Sequence, residues 1–134
     1  MPLPAHVKRR RVPLPASGVE LALLDWGGPG PLALLHHANG FSAALWQGVV
    51  EGLQPHFRVV AMDARGHGDS SGASGGDAYH WRRFPEDILA VAHVLAPEAP
   101  GGCVALGLGH SFGGTSMIAA AGLEPALFER IVAV

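Results

Sequence analysis

Gly109-His110-Ser111-Phe112-Gly113 reads G-x-S-x-G, and its flanks give the pattern meaning. Before it comes Cys103-Val104-Ala105-Leu106-Gly107-Leu108, an apolar run of strand length. After it comes Gly114-Thr115-Ser116-Met117-Ile118-Ala119-Ala120-Ala121, which reads as a helix. A serine on a sharp strand-to-helix turn is held in a strained backbone conformation with its hydroxyl exposed. The chain on either side must then lack side chains, and Gly109 and Gly113 have none. Ser111 is therefore a candidate nucleophile standing over a helix N-terminus.

Upstream, Leu32-Ala33-Leu34-Leu35-His36 is a continuous apolar run, the pattern of a strand buried on both faces. It opens into His37-Ala38-Asn39-Gly40-Phe41. Residues 45–54 then look helical, with Leu45, Val49 and Leu53 at spacings of four and Trp46 and Val50 beside them. Phe57-Arg58-Val59-Val60-Ala61-Met62 is a second buried-strand candidate. It ends in the polar turn Asp63-Ala64-Arg65-Gly66-His67-Gly68-Asp69-Ser70, followed by a loose Gly/Ser loop. A helix is expected within 79–95, with Pro85, Glu86 and Asp87 in its first turn and Ile88, Val91, Ala92 and Leu95 as its apolar stripe. Pro125 stops the helix after Ser111, and Ile131-Val132-Ala133-Val134 begins another strand. From Leu32 onward strands alternate with helices, which predicts an α/β fold: a mostly parallel sheet flanked by helices. Before it, a turn at 16–18 followed by a strand at 19–26 suggests an antiparallel hairpin at a sheet edge. The basic run Lys8-Arg9-Arg10-Arg11 reads as a solvated strand or arm, since no aromatic residue is interleaved with it.

Composition narrows the function classes. The 134 residues are 49% apolar and 15% charged, a globular chain with enough length for one core. A formal net charge of −2 gives no reason to expect nucleic acid or an anionic membrane surface as partner. Cys103 is the one cysteine, which excludes an intrachain disulfide and a polycysteine metal site; it reads as a small buried residue. The eight histidines show no metal-ligand spacing, and neither a metal nor a cofactor is expected. No apolar stretch is long enough to span a bilayer and no signal core follows the basic N-terminus, so a cytoplasmic protein is the expectation.

The three motifs, His37-Ala38-Asn39-Gly40-Phe41, Asp63-x-Arg65-Gly66-His67-Gly68-x-Ser70 and Gly109-His110-Ser111-Phe112-Gly113-Gly114, follow the third, fourth and fifth expected strands. In that order and spacing the chain resembles the N-terminal half of an α/β-hydrolase-fold serine hydrolase. The H-A-N-G-F form resembles a subgroup of bacterial members more than the plain His-Gly form. The resemblance covers nearly all of 1–134 and implies part of a single domain, its sheet truncated at about the sixth strand, with later strands and lid absent.

The implied chemistry is acyl transfer to serine. A serine hydroxyl needs a base to take its proton, and the tetrahedral intermediate needs hydrogen-bond donors already in place. One oxyanion donor is expected to be the backbone N–H of Phe112, directly after the nucleophile. The resemblance assigns the second to the N–H of Phe41, with Gly40 allowing close approach and the Phe41 ring lining the acyl pocket. His37 has two readings: it orients the oxyanion loop, or it is the missing base. His110 reads as a packed elbow residue or a pocket wall. The substrate-contacting set is thus His37, Gly40, Phe41 and His110. The Asp63-Arg65-His67 cluster reads as a structural turn, with Asp63 and Arg65 bonding backbone and each other, rather than as a catalytic group.

In this fold the triad acid and histidine follow the serine. After Ser111 come Glu124 and Glu129 but no histidine. Two classes of function therefore remain. One is a serine hydrolase of a small-molecule ester, thioester, lactone or similar acyl substrate, active when completed. The other is a non-catalytic binding protein or inactive remnant. A last strand at an open edge also predicts pairing with another chain, including self-association.

Overall fold

The computed structural model describes residues 2–134. Strand β3 (Leu32–His36) has all five residues buried, because it runs through the interior of a six-stranded sheet. The others are β1 (Lys8–Leu14), β2 (Val19–Gly27), β4 (Arg58–Met62), β5 (Leu106–Gly109) and β6 (Ile131–Ala133), in the order β1-β2-β4-β3-β5-β6. β1 and β2 form the expected antiparallel hairpin, and β2 joins β4 antiparallel. β4, β3, β5 and β6 run parallel.

Register places the three motifs together. His36 pairs with Met62 on one side and with Gly109 on the other. The loops that begin at His37, Asp63 and His110 therefore leave the same carboxyl edge of the sheet, where open α/β sheets hold their ligands.

Alternation along the strands makes two cores. Leu32, Leu34, Val60 and Met62 pack under helices α2 (Arg83–Leu95) and α3 (Phe112–Leu123), through Ile88, Val91, Leu95, Met117 and Ala120. Ala33, Leu35, Val59 and Ala61 face the other way, toward Ala43 and Val50. On that face a 3-10 turn (Ala43–Trp46) leads into the short helix α1 (Gln47–Leu53).

Three local expectations need correction. The helix expected over 45–54 is split into a 3-10 turn and a short α-helix; Leu45 and Val49 are 63% and 44% exposed, while Val50 beside them is buried. The 3-10 turn rotates the segment relative to one continuous α-helix, so the spacing of four points elsewhere. Cys103 is half-buried with its thiol 3.4 Å from Glu129, because β5 begins only at Leu106 and Val104 makes an isolated bridge to Phe128. Asp87, expected in the first turn of its helix, lies beyond that turn and is buried, 3% exposed.

The basic run is β1, with its arginines paired. Arg10 binds both Glu98 carboxylate oxygens, at 2.7 and 2.6 Å, and Arg58 joins the same Glu98 to Asp25. The two arginines hold the Glu98 carboxyl down at about 2. No helix among the described residues is long and apolar enough to cross a membrane.

Candidate active site

Ser111 stands between β5 and α3 with φ 54° and ψ −118°, the one non-glycine residue with positive φ among the described residues. Such a conformation costs on the order of 1–3 kcal/mol and persists only where its surroundings enforce it. Here the enforcement is visible. The His110 N–H donates to the His36 carbonyl at 3.1 Å, and the Ser111 N–H to the Val134 carbonyl at 2.6 Å, tying the turn to the ends of β3 and β6. The Val134 N–H returns to the Gly109 carbonyl at 2.9 Å.

The glycines have the role the pattern assigns them. A Cβ on Gly109 would lie 2.3 Å from the Gly113 carbonyl oxygen. A Cβ on Gly113 would lie 2.4 Å from the carbonyl oxygens of both His36 and His37. Backbone meets backbone on both sides of the serine, so no side chain fits. The Phe112 ring pins the turn from below, edge-on to Phe84 at 4.6 Å and to His36 at 5.9 Å between centroids.

Ser111 is exposed, and its Oγ has no hydrogen-bond partner among the described residues. The Phe112 N–H opens α3 and so has no acceptor within the helix. It adds to the positive end of the helix dipole, a fixed donor beside the serine.

The loop after β3 contributes the other wall. The Phe41 N–H closes a turn onto the Ala38 carbonyl at 3.1 Å, and Gly40 takes φ 82° inside it. A Cβ on Gly40 would meet nothing within 4 Å, so glycine is needed there for its backbone angle and not for close approach. The Ala38 carbonyl also faces His37 Nδ1 at 2.7 Å. With two donors on one oxygen, the Phe41 N–H can turn to another acceptor without leaving Ala38 unsatisfied.

His37 is buried with both ring nitrogens engaged. Nε2 accepts from the Ala64 N–H at 2.9 Å, which fixes the proton on Nδ1 and that proton on Ala38. Burial lowers its pKa. Of its two readings, this geometry is that of a residue orienting the loop; neither nitrogen reaches the Ser111 hydroxyl. His36, the neighbour in sequence, is fully buried, and burial takes its pKa to about 4. Its Nε2 has no partner among the described residues.

The Asp63–Ser70 turn is a scaffold. Asp63 accepts the Ala43 N–H at 2.7 Å and the Asp69 N–H at 2.9 Å, joining the loops after β3 and β4. Arg65 does not pair with Asp63. It forms a bidentate pair with Asp87 of α2, both contacts 2.7 Å, and donates to the Ala78 carbonyl at 2.9 Å. Burial pushes the Asp87 carboxyl up against the pull of that guanidinium. Among the described residues, no cluster of three or more histidine, cysteine or carboxylate side chains could hold a metal.

His110 is exposed and stacks on the Phe41 ring, with centroids 6.4 Å apart. The two form the mouth of a groove of about 450 Å³ that continues over Leu45, Val49 and Leu108 to Val134. No aspartate, glutamate, lysine or arginine side chain lines it. The exposed stripe of the 3-10 turn and α1 is thus one wall of this groove.

Comparison with known proteins agrees with this architecture. Residues 31–134 match the model of the alpha/beta hydrolase fold family, and the chain belongs to that family. It is 37% identical over 99 residues to "Probable oxidoreductase EphD" of Mycobacterium tuberculosis, covering 73% of this chain and 17% of that one. It is 37% identical over 87 residues to a pimeloyl-[acyl-carrier protein] methyl ester esterase of Vibrio campbellii, covering 65% and 30% respectively. Among solved structures, E-2-(acetamidomethylene)succinate hydrolase superposes with a TM-score of 0.82 at 29% identity, over 96% of this chain and 44% of that one. The chain thus spans less than half the length of these relatives.

Proposed function

We propose that residues 1–134 form the nucleophile-bearing, N-terminal part of a single α/β-hydrolase domain that cleaves an ester or related acyl bond through a Ser111 acyl-enzyme. The observation that carries this reading is the enforced positive φ of an exposed serine between a parallel strand and a helix. Strain of that kind is retained where it serves a site. Ser111 Oγ attacks the acyl carbon, and the Phe112 N–H meets the oxygen that becomes negative. The Phe41 N–H is the second donor, redirected from an Ala38 carbonyl that keeps its bond from His37. The general base and its acid come from outside these residues, since both ring nitrogens of His37 are committed. The apolar groove beyond Phe41 and His110 suits the apolar portion of a small-molecule substrate. The names of the esterase and hydrolase relatives support the reaction class.

A second reading, a non-catalytic protein on the same fold, is favoured by one observation: Ser111 Oγ has no base within reach. In either case the β6 edge, where Val132 is 46% exposed, is the surface through which another strand or a second copy would extend the sheet. The test is turnover of a short-chain aryl ester by the protein as its gene encodes it, beside Ser111→Ala. Hydrolysis lost in the variant supports the first reading; a folded, inert protein supports the second.

A further inference from the structure

His67 lies in the turn after β4, against the loop after β3 that carries Phe41, and both of its ring nitrogens face oxygens. Nδ1 is 3.0 Å from the Arg65 carbonyl, and Nε2 is 3.2 Å from Asn39 Oδ1. A neutral imidazole offers one donor and one acceptor; only the imidazolium offers two donors. The charged ring therefore satisfies both oxygens as they stand. The neutral ring keeps its proton on one of them and needs a donor at the other nitrogen. The Arg65 carbonyl cannot supply one, being backbone. Asn39 can, by turning its amide so that Nδ2 faces Nε2. The Asn39 amide thus reads the charge of His67.

Asn39 precedes Gly40 in the turn whose closing bond is Phe41 N–H to the Ala38 carbonyl. Of the three side-chain links that hold this loop to the turn after β4, two are buried: Ala43 N–H to Asp63, and His37 Nε2 to Ala64 N–H. The third, Asn39 to His67, is exposed, so solvent protons reach the imidazole that makes it. We propose that Asn39 and His67 are positioning residues forming a proton-read latch on the turn that presents the Phe41 N–H. The inference rests on the reading of Phe41 as an oxyanion donor. The imidazolium makes the stronger, charge-assisted bond to Oδ1 and holds the turn closed with its N–H on Ala38. The neutral ring holds it by a weaker bond and lets the N–H turn to substrate oxygen.

The ionisable surroundings of His67 are few. His37 lies 5.2 Å away between ring centroids, and burial lowers its pKa, as it does that of the adjacent His36. Asp63 and Asp69 belong to the same turn, with Asp63 occupied by two backbone N–H groups. The Arg65 guanidinium is turned away onto Asp87.

The test follows the His67 ring nitrogens, the Asn39 side-chain amide and the Phe41 backbone amide by nitrogen-15 NMR over about pH 5 to 8. The expected result is one shared midpoint for all three. In His67→Gln, whose amide does not titrate, the Asn39 and Phe41 signals become flat. The same variant in the protein as its gene encodes it loses one ionisation from the acid limb of kcat, with KM unchanged. Asn39 and Phe41 signals that do not titrate, or that still titrate in His67→Gln, overturn the latch. So does an unchanged kcat profile. Coupled titration beside an unreactive Ser111 supports the latch geometry and overturns the hydrolase reading, so the two failures are distinguishable.

Discussion

Gly113 and Gly122 lie in the same helix, and alanine should act on them with opposite sign. At Gly122 a new Cβ meets nothing within 4 Å. There the substitution reduces the freedom of the unfolded chain and suits the helix, worth roughly 0.5–1 kcal/mol of added stability. At Gly113 the same methyl lies 2.4 Å from two carbonyl oxygens at the end of β3 and 2.7 Å from His36 Nδ1. Restoring ordinary contact needs about 1 Å of separation between α3 and β3. Neither partner can give, because the obstacles are backbone held in register by β4 and β5. Overpacking against such a wall costs about 1–3 kcal/mol, and more when backbone must move. The two variants should therefore differ by about 3 kcal/mol, read as the shift in urea midpoint at constant slope. Gly113→Ala should also displace Ser111, two residues away. Equal effects from the two substitutions, or a Gly113→Ala cost below about 0.5 kcal/mol, would refute the claim that close backbone approach dictates glycine at the elbow.

Two further outcomes follow from buried charge. His36 has a folded pKa of about 4 against an ordinary 6.5, so the unfolded chain takes up its proton first as pH falls. Its contribution is present above pH 6.5 and is lost on acidification, by about 2 kcal/mol between pH 7 and 5, and His36→Leu should flatten that part of the stability–pH slope. A slope unchanged in the variant contradicts the burial argument. Removing one member of the Arg65–Asp87 pair strands a buried charge, so Asp87→Ala should cost about 3–5 kcal/mol by chemical denaturation. The double change Arg65→Met, Asp87→Leu should recover much of that loss, and failure to recover would show that the guanidinium's bond to Ala78 matters more.

The sequence was most legible where one physical demand acts alone. β3 is buried on both faces, so its apolar run has no alternation to misread and its bounds emerge as expected. The elbow is equally legible, because two glycines flanking a serine have few other uses there. Sequence spacing said less where two surfaces compete for apolar residues. Leu45 and Val49 have helical spacing, yet a 3-10 turn aims them at a groove. Asp87 was read by the rule for helix first turns, while its partner Arg65 stands 22 residues earlier. A carboxylate set among the buried residues of the α2 stripe was the available signal that a cation must face it. The loop after β3 was legible in its residues but not in its bonding: nothing in the spacing shows that Phe41 N–H and His37 share one carbonyl.

The central claim is that Ser111 is a nucleophile powered by groups outside these residues. Intact-mass labelling with a fluorophosphonate tests it most directly, on the protein as its gene encodes it and on its Ser111→Ala variant. One adduct per chain on Ser111, absent in the variant, is the predicted result. A folded protein that takes up no reagent, or an adduct that persists in Ser111→Ala, would contradict it.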